Sequence, residues 1–173
     1  RNDLPESYHP KSVIAILNEL SNNIIAVKGN CDAEVDQMVL NFKILDEYSF
    51  VHNNKVIYCT HGHHVNYLKP TKYEVDYVFH GHTHIIRKDV VNNVTYINIG
   101  SITIPKENTA KCYGILEENL KIYDINDNLL LSINIFTALL SVSIFIFNLR
   151  LLSLCIGTSA VVKFAKKSAT PFG

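Results

Sequence analysis

Six of the eight histidines in this 173-residue chain, His61, His63, His64, His80, His82 and His84, fall within 24 consecutive positions. Neutral imidazole is a common metal ligand and a general acid or base, so such a density points to metal or proton chemistry. Spacing narrows the choice. The run KVIYC leads into Thr60-His61-Gly62-His63-His64, and DYVF leads into His80-Gly81-His82-Thr83-His84. A third run, NIIAVK, leads into Gly29-Asn30-Cys31-Asp32, where the Asn side-chain carbonyl is a harder oxygen ligand. Glycine beside each candidate ligand lets the backbone turn sharply and leaves room for an oxyanion. His82 and His84 would share one face of a strand, or reach neighbouring metals from a tight turn. No HExxH motif and no CxxC pair occurs, which weighs against a zinc protease and a structural zinc site.

Elements able to position these loops are legible around them. Lys11–Leu20 carries Val13, Ile14, Ile16, Leu17 and Leu20 near helical period, and Pro10 suits a first helical position. Asn23–Val27 reads as a buried strand, and Asp32 as the cap of a short helix running through Met38, Val39 and Leu40. Tyr48–Val51 and Lys55–Thr60 flank His52-Asn53-Asn54 as a hairpin. Further strands are expected at Val75–Phe79, Ile85–Asp89, Val94–Ile99, Tyr113–Leu116, Leu120–Tyr123 and Leu129–Ile133, separated by Asn- and Asp-rich turns. Apolar runs ending in ligand-bearing loops suit a layered α/β architecture, where sites gather beyond the carboxyl ends of strands.

Composition bounds the rest. Apolar residues make up 47%, which excludes disorder of the whole chain. The formal net charge of zero conceals a split. Residues 1–134 hold 12 Lys/Arg against 16 Asp/Glu, and residues 135–173 hold four basic residues and no acidic one. Neither part clusters the cations that phosphate neutralisation needs, so nucleic acid is not expected as a partner. Cys31, Cys59, Cys112 and Cys155 are scattered, which fits a reduced, cytoplasmic compartment. The 135–173 tail is different in kind: Ile135–Phe147 is almost wholly apolar, and Lys163, Lys166 and Lys167 close the run. Between Leu129 and Phe147 there is no charge, and a stretch of that length approaches the roughly 20 residues that span a bilayer. A membrane segment within 135–162, a packed appendage and sequence foreign to the domain all remain open for this tail.

The ordered trio GNCD, THGH and GHTH resembles the calcineurin-like metallophosphoesterases, and within them the small YfcE-type phosphodiesterases. RNDLPESYHP followed by a helix, VKGNCDAEVDQM, THGHH, FHGHTH and NIGSITIPK followed by YGIL are similar to that subgroup in order. The resemblance spans about Arg1 to Ile135. It implies a metallophosphoesterase-like αββα sandwich and hydrolysis of a small-molecule phosphate ester at two divalent metals, manganese above all, with zinc, iron or nickel as alternatives. Carried over by motif, Asn30, His61 and His82 would bind one metal and His84 the other. Such a pair lies roughly 3.5–4 Å apart, activates a shared water and clamps the phosphoryl oxygens.

Cys31 stands where many relatives have a histidine that protonates the leaving oxygen; a thiol is a weaker match at neutral pH. Its alternative reading is a small half-buried residue after a tight turn. His63 is the candidate for touching the substrate phosphate, and His64 an exposed loop residue. Asn98, Gly100 and Ser101 resemble the NPGS turn of the family, with Ile99 replacing Pro, and are expected to support the metal loops. The family also begins with strands ending in D-x-H and G-D, and neither pattern occurs in this sequence. The expectation is therefore a partial domain over 1–134 with impaired activity and apolar sheet edges left exposed. A non-catalytic interaction module is the alternative, since the retromer subunit of this fold binds partner proteins. Oligomeric state is not legible in the sequence.

Overall fold

The computed structural model describes residues 8–135 and, as strand backbone, 142–149 and 159–165. Helix α1 (Pro10–Glu19) leads into β1 (Ile24–Val27), and helix α2 (Glu34–Val39) into β2 (Ile44–Leu45). Then follow β3 (Glu47–His52), β4 (Lys55–Thr60), β5 (Tyr77–His80), β6 (Ile86–Val91) and β7 (Val94–Ile99). The series closes with β8 (Cys112–Leu116), β9 (Asn119–Asp124), β10 (Leu129–Asn134), β11 (Val142–Leu149) and β12 (Ser159–Ala165).

The strands form two sheets. One has seven strands in the order β10-β9-β8-β11-β12-β1-β2, the other five in the order β3-β4-β5-β7-β6. Strand alternation sorts side chains between layers. Along β1, Ile24 and Ala26 face α1 and α2, where they meet Leu17, Leu40 and Phe42. Val27 faces the other way, into a core shared by both sheets with Ile57, Cys59, Phe79, Ile97, Ile99, Leu116 and Ile122. In the five-stranded sheet the same rule turns Tyr58, Val78 and Tyr96 outward, under Val65, Tyr67 and Val75. Each fully buried aliphatic side chain stabilises the sandwich by about 1.5–3 kcal/mol.

Most expected elements are present within a residue or two. Both helices pack on the seven-stranded sheet. Opposite them, the expected second helical layer is replaced by segment 65–75 among the described residues, because that segment holds no helix. The hairpin turn at Asn53-Asn54 has φ of 50° and 58°, a left-handed pair that Asn tolerates better than most residues.

The tail enters the sheet. β11 pairs antiparallel with β8, aligning Ser143 with Leu116 and Phe145 with Gly114. β12 pairs antiparallel with β1, aligning Lys163 with Ile24 and Ala160 with Val27. The edges of β1 and β8 are thus bridged by two strands whose backbone groups satisfy theirs. Residues 136–141 and 150–158 of the apolar run lie outside the described residues. No helix among the described residues is long and apolar enough to cross a membrane.

Candidate active site

β4, β5 and β7 run parallel, so their carboxyl ends open on one side of the five-stranded sheet. His61 follows β4, His80 ends β5, and His82 and His84 follow in the next turn. Asn30 arrives from the other sheet, three residues past the end of β1. It meets His61 across the sandwich: Asn30 Oδ1 and His61 Nε2 are 2.8 Å apart. His82 Nδ1 lies 3.1 Å from the same His61 Nε2. Ligand atoms at right angles on bonds of 2.0–2.1 Å are separated by about 3.0 Å, which both separations from His61 Nε2 match. The donor set is one carbonyl oxygen and two imidazole nitrogens, a mixed N/O set suited to a divalent metal.

Electrostatics agree with that use. Burial, reinforced by His82, His63, His84 and His80, lowers the His61 pKa to about 3, and its ring is 1% exposed. Burial also lowers His80 to about 4, and lowers His82 and His63 from their usual value. The imidazoles of His61, His63, His80 and His82 are therefore neutral at pH 7, the form that offers a lone pair to a metal. His61 Nδ1 and His63 Nδ1 are buried without a hydrogen-bond partner. Such orphaned polar atoms are rare away from functional sites.

The loops are held by identifiable bonds. His82 and His84 sit at φ of 70° and 65°, left-handed positions costly for a side-chain-bearing residue. The amide of Asn98, 1% exposed, donates to the Gly81 carbonyl at 2.6 Å and to Thr83 Oγ1 at 2.8 Å, which clamps that turn. Asn98 Oδ1 in turn accepts the Gly100 N–H at 2.9 Å. The Gly81 N–H donates to the His61 carbonyl at 3.0 Å, tying the two histidine loops together. Gly62 has φ of 107°, and a Cβ there would stand 2.8 Å from His80 Nδ1. His84 donates through Nδ1 to the Ile104 carbonyl at 2.8 Å, which fixes its tautomer and ring orientation. Ser101 Oγ accepts the Ile104 N–H at 3.1 Å and so positions that carbonyl's residue.

The sequence-predicted residues are not all brought together. Asn30, His61 and His82 converge, with His63 beside them: its ring centroid is 5.3 Å from that of His61 and 6.0 Å from that of His82. His64 stacks on His63 at 3.8 Å and is exposed. Cys31 is half-buried, and Cys31, Cys59 and Cys112 form no disulfide. Among the described residues, no group of three His, Cys, Asp or Glu side chains could hold a metal ion, either at His61 and His82, whose third neighbour is an amide, or around His84. Asp32 is not the helix cap. Its Oδ2 accepts the Gly29 N–H at 2.6 Å and steadies the Asn30 loop, while Asp36 accepts the Ala33 N–H at α2. The reason is local: Ala33, with φ of −95° and ψ of 160°, holds the cap position of α2, which leaves Asp32 one residue too early.

Sequence reasoning missed the cleft beside the histidines. A cavity of about 520 Å³ is lined by Asn30 and His63 on one side and by Lys28, Asp46, Glu47 and Tyr58 on the other. Within it the Tyr58 hydroxyl, desolvated and beside a carboxylate, donates to Glu47 and has its pKa raised well above the usual phenol value.

Comparison with known proteins agrees with this arrangement. Residues 7–121 match the calcineurin-like phosphoesterase superfamily domain. The chain is 38% identical over 130 residues to phosphodiesterase YfcE of Escherichia coli K12, covering 73% of this chain and 71% of that protein. It is 34% identical over 99 residues to the probable metallophosphoesterase YsnB of Bacillus subtilis, covering 52% of this chain and 54% of that protein. Among solved structures, the E. coli phosphoesterase YfcE superposes with a TM-score of 0.73 at 31% identity, over 79% of this chain and 77% of that one. With the sandwich and these matches in agreement, the chain belongs to the calcineurin-like phosphoesterase superfamily.

Proposed function

We propose that this protein is a metal-dependent phosphodiesterase acting on small-molecule phosphate esters in the cytoplasm. Asn30, His61 and His82 hold one divalent cation, manganese by preference, and His84 serves a second. The observation that carries this reading is the convergence of Asn30 Oδ1, His61 Nε2 and His82 Nδ1 at separations of 2.8 and 3.1 Å. A cation bound there supplies Lewis acidity toward a phosphoryl oxygen and lowers the pKa of a bound water.

The chain's own residues do the rest. His61 stays neutral because burial and its imidazole neighbours oppose protonation, so it remains a ligand through the physiological range. Asn98 and Asp32 hold the two ligand loops in register through the Gly81 carbonyl and the Gly29 N–H. His63 lines the cleft, with Nδ1 buried and unpartnered, and binds a phosphate oxygen. Cys31, next to Asn30 in sequence, would return a proton to the leaving alkoxide.

Hydrolysis of bis(p-nitrophenyl) phosphate with and without manganese tests the reading. Manganese-stimulated release of nitrophenol that falls at least ~100-fold in His61→Ala and His82→Ala is the expected result. Undiminished hydrolysis in both variants would reject the site.

A further inference from the structure

The 520 Å³ cavity shares Asn30 and His63 with the histidine site, so an organic group esterified to a phosphate there reaches it directly. Its lining is charged: Val65 is the sole aliphatic residue on it, and Asp32, Asp46 and Glu47 outnumber a single cation, Lys28. Glu47 is held in place. The Tyr58 hydroxyl, on a residue 3% exposed, donates to one carboxylate oxygen, and the Tyr73 hydroxyl donates to the other at 3.3 Å. A carboxylate offers about four acceptor positions, so two phenol bonds leave capacity for a ligand.

We propose that this cleft is the subsite for the organic group of the ester, and that it takes an alkylammonium group with Glu47 and Asp46 as its counter-ions. The assignment rests on the phosphodiesterase reading above. Three alternatives fail on physical grounds. A second phosphate or carboxylate would face a formal charge of −2 from the ionisable lining residues. An acyl or aryl group would strip water from the carboxylates and return no hydrogen bond. A neutral alcohol would bond to Glu47 without using the charge. An ammonium donates three charge-assisted bonds and matches the sign of the cleft. The substrate is then bipolar, with its phosphate at the histidines and its cation in the cleft.

Binding to the full, manganese-loaded chain tests the inference without relying on turnover. The probes are methyl 2-ammonioethyl phosphate and methyl propyl phosphate, which differ by an ammonium in place of a methyl group. Titration calorimetry at low salt should give at least ~10-fold tighter binding of the ammonium ester. Glu47→Gln keeps an acceptor for one phenol and offers an amide donor to the oxygen of the other, and Asp46→Asn changes an exposed residue, so both variants should fold. Each should cut the preference several-fold while leaving the propyl ester unaffected. Equal affinity of the wild type for both esters, or a preference that survives both substitutions, would overturn the subsite and leave the phosphodiesterase reading intact. Failure of the wild type to bind either ester would overturn both.

Discussion

His84 donates its Nδ1 proton to the backbone carbonyl of Ile104 at 2.8 Å, a bond spanning 20 residues and two loops. The bond selects one tautomer and one ring orientation at a residue already held at a left-handed φ of 65°. The carbonyl is itself set by Ser101, whose hydroxyl accepts the Ile104 N–H. The ring of His84 is thus oriented by the turn after β7.

Manganese should raise the unfolding temperature of the wild-type chain, since a ligand bound only to the native state at 100 times its Kd adds about 2.7 kcal/mol. His61→Ala, which removes the nitrogen common to both short separations, should abolish the shift. Differential scanning fluorimetry with and without metal reads this directly. A shift of equal size in the variant would place the metal elsewhere.

Asn98→Ala leaves the Gly81 carbonyl and Thr83 without their shared donor in a buried setting. A loss of about 1–3 kcal/mol in stability is expected, measured as a lower urea midpoint. Metal affinity should fall about 10-fold or more, because the clamped turn carries His82. Titration calorimetry with manganese separates the two effects.

Gly62→Ala combines a φ of 107° with a contact of 2.8 Å to His80 Nδ1. Destabilisation of about 1–3 kcal/mol is expected, with His80 displaced. An unchanged denaturation midpoint would mean that the loop between β4 and His63 differs from the one described.

In metal-free protein, stability should fall on acidification. His61 and His80 have folded pKa values of about 3 and about 4, well below the unfolded value near 6.5. Between those limits the unfolded chain binds more protons, so stability rises with pH there. Their contribution is complete above about pH 6.5 and is lost progressively as pH falls toward 3–4. Urea midpoints at pH 7.5 and pH 4.5 in EDTA should differ accordingly, and His80→Asn should narrow the difference.

Deleting residues 136–173 should uncover the edges of β1 and β8 that β12 and β11 bridge. Hydrogen exchange should show protected amides in 24–27 and 114–116 of the full chain and faster exchange in the shortened one. Identical exchange would show that the two strands contribute no pairing.

Much of this protein is determined by local pattern. Alternation along β1, β4, β5 and β7 assigns which side chains enter the shared core, because side-chain period on a strand is fixed by backbone geometry. The apolar runs ending in Gly29-Asn30, His61-Gly62 and Gly81-His82 mark the loops whose side chains converge, and the trio of motifs indicates the family. What the tertiary structure alone decided are the relationships that cross elements. Asn30 and His61 belong to different sheets and meet only because the sandwich stacks them. Asp32, equally suited to cap α2, was committed to the Gly29 amide by the path of the loop. The Ile104 carbonyl that orients His84 left no trace in the sequence, since every residue carries one. The Glu47–Tyr58 cleft was equally silent, because a carboxylate and a phenol eleven residues apart become a site only when β3 and β4 pair. The tail's place between β8 and β1 follows from unsatisfied strand edges meeting in space, which no local pattern records.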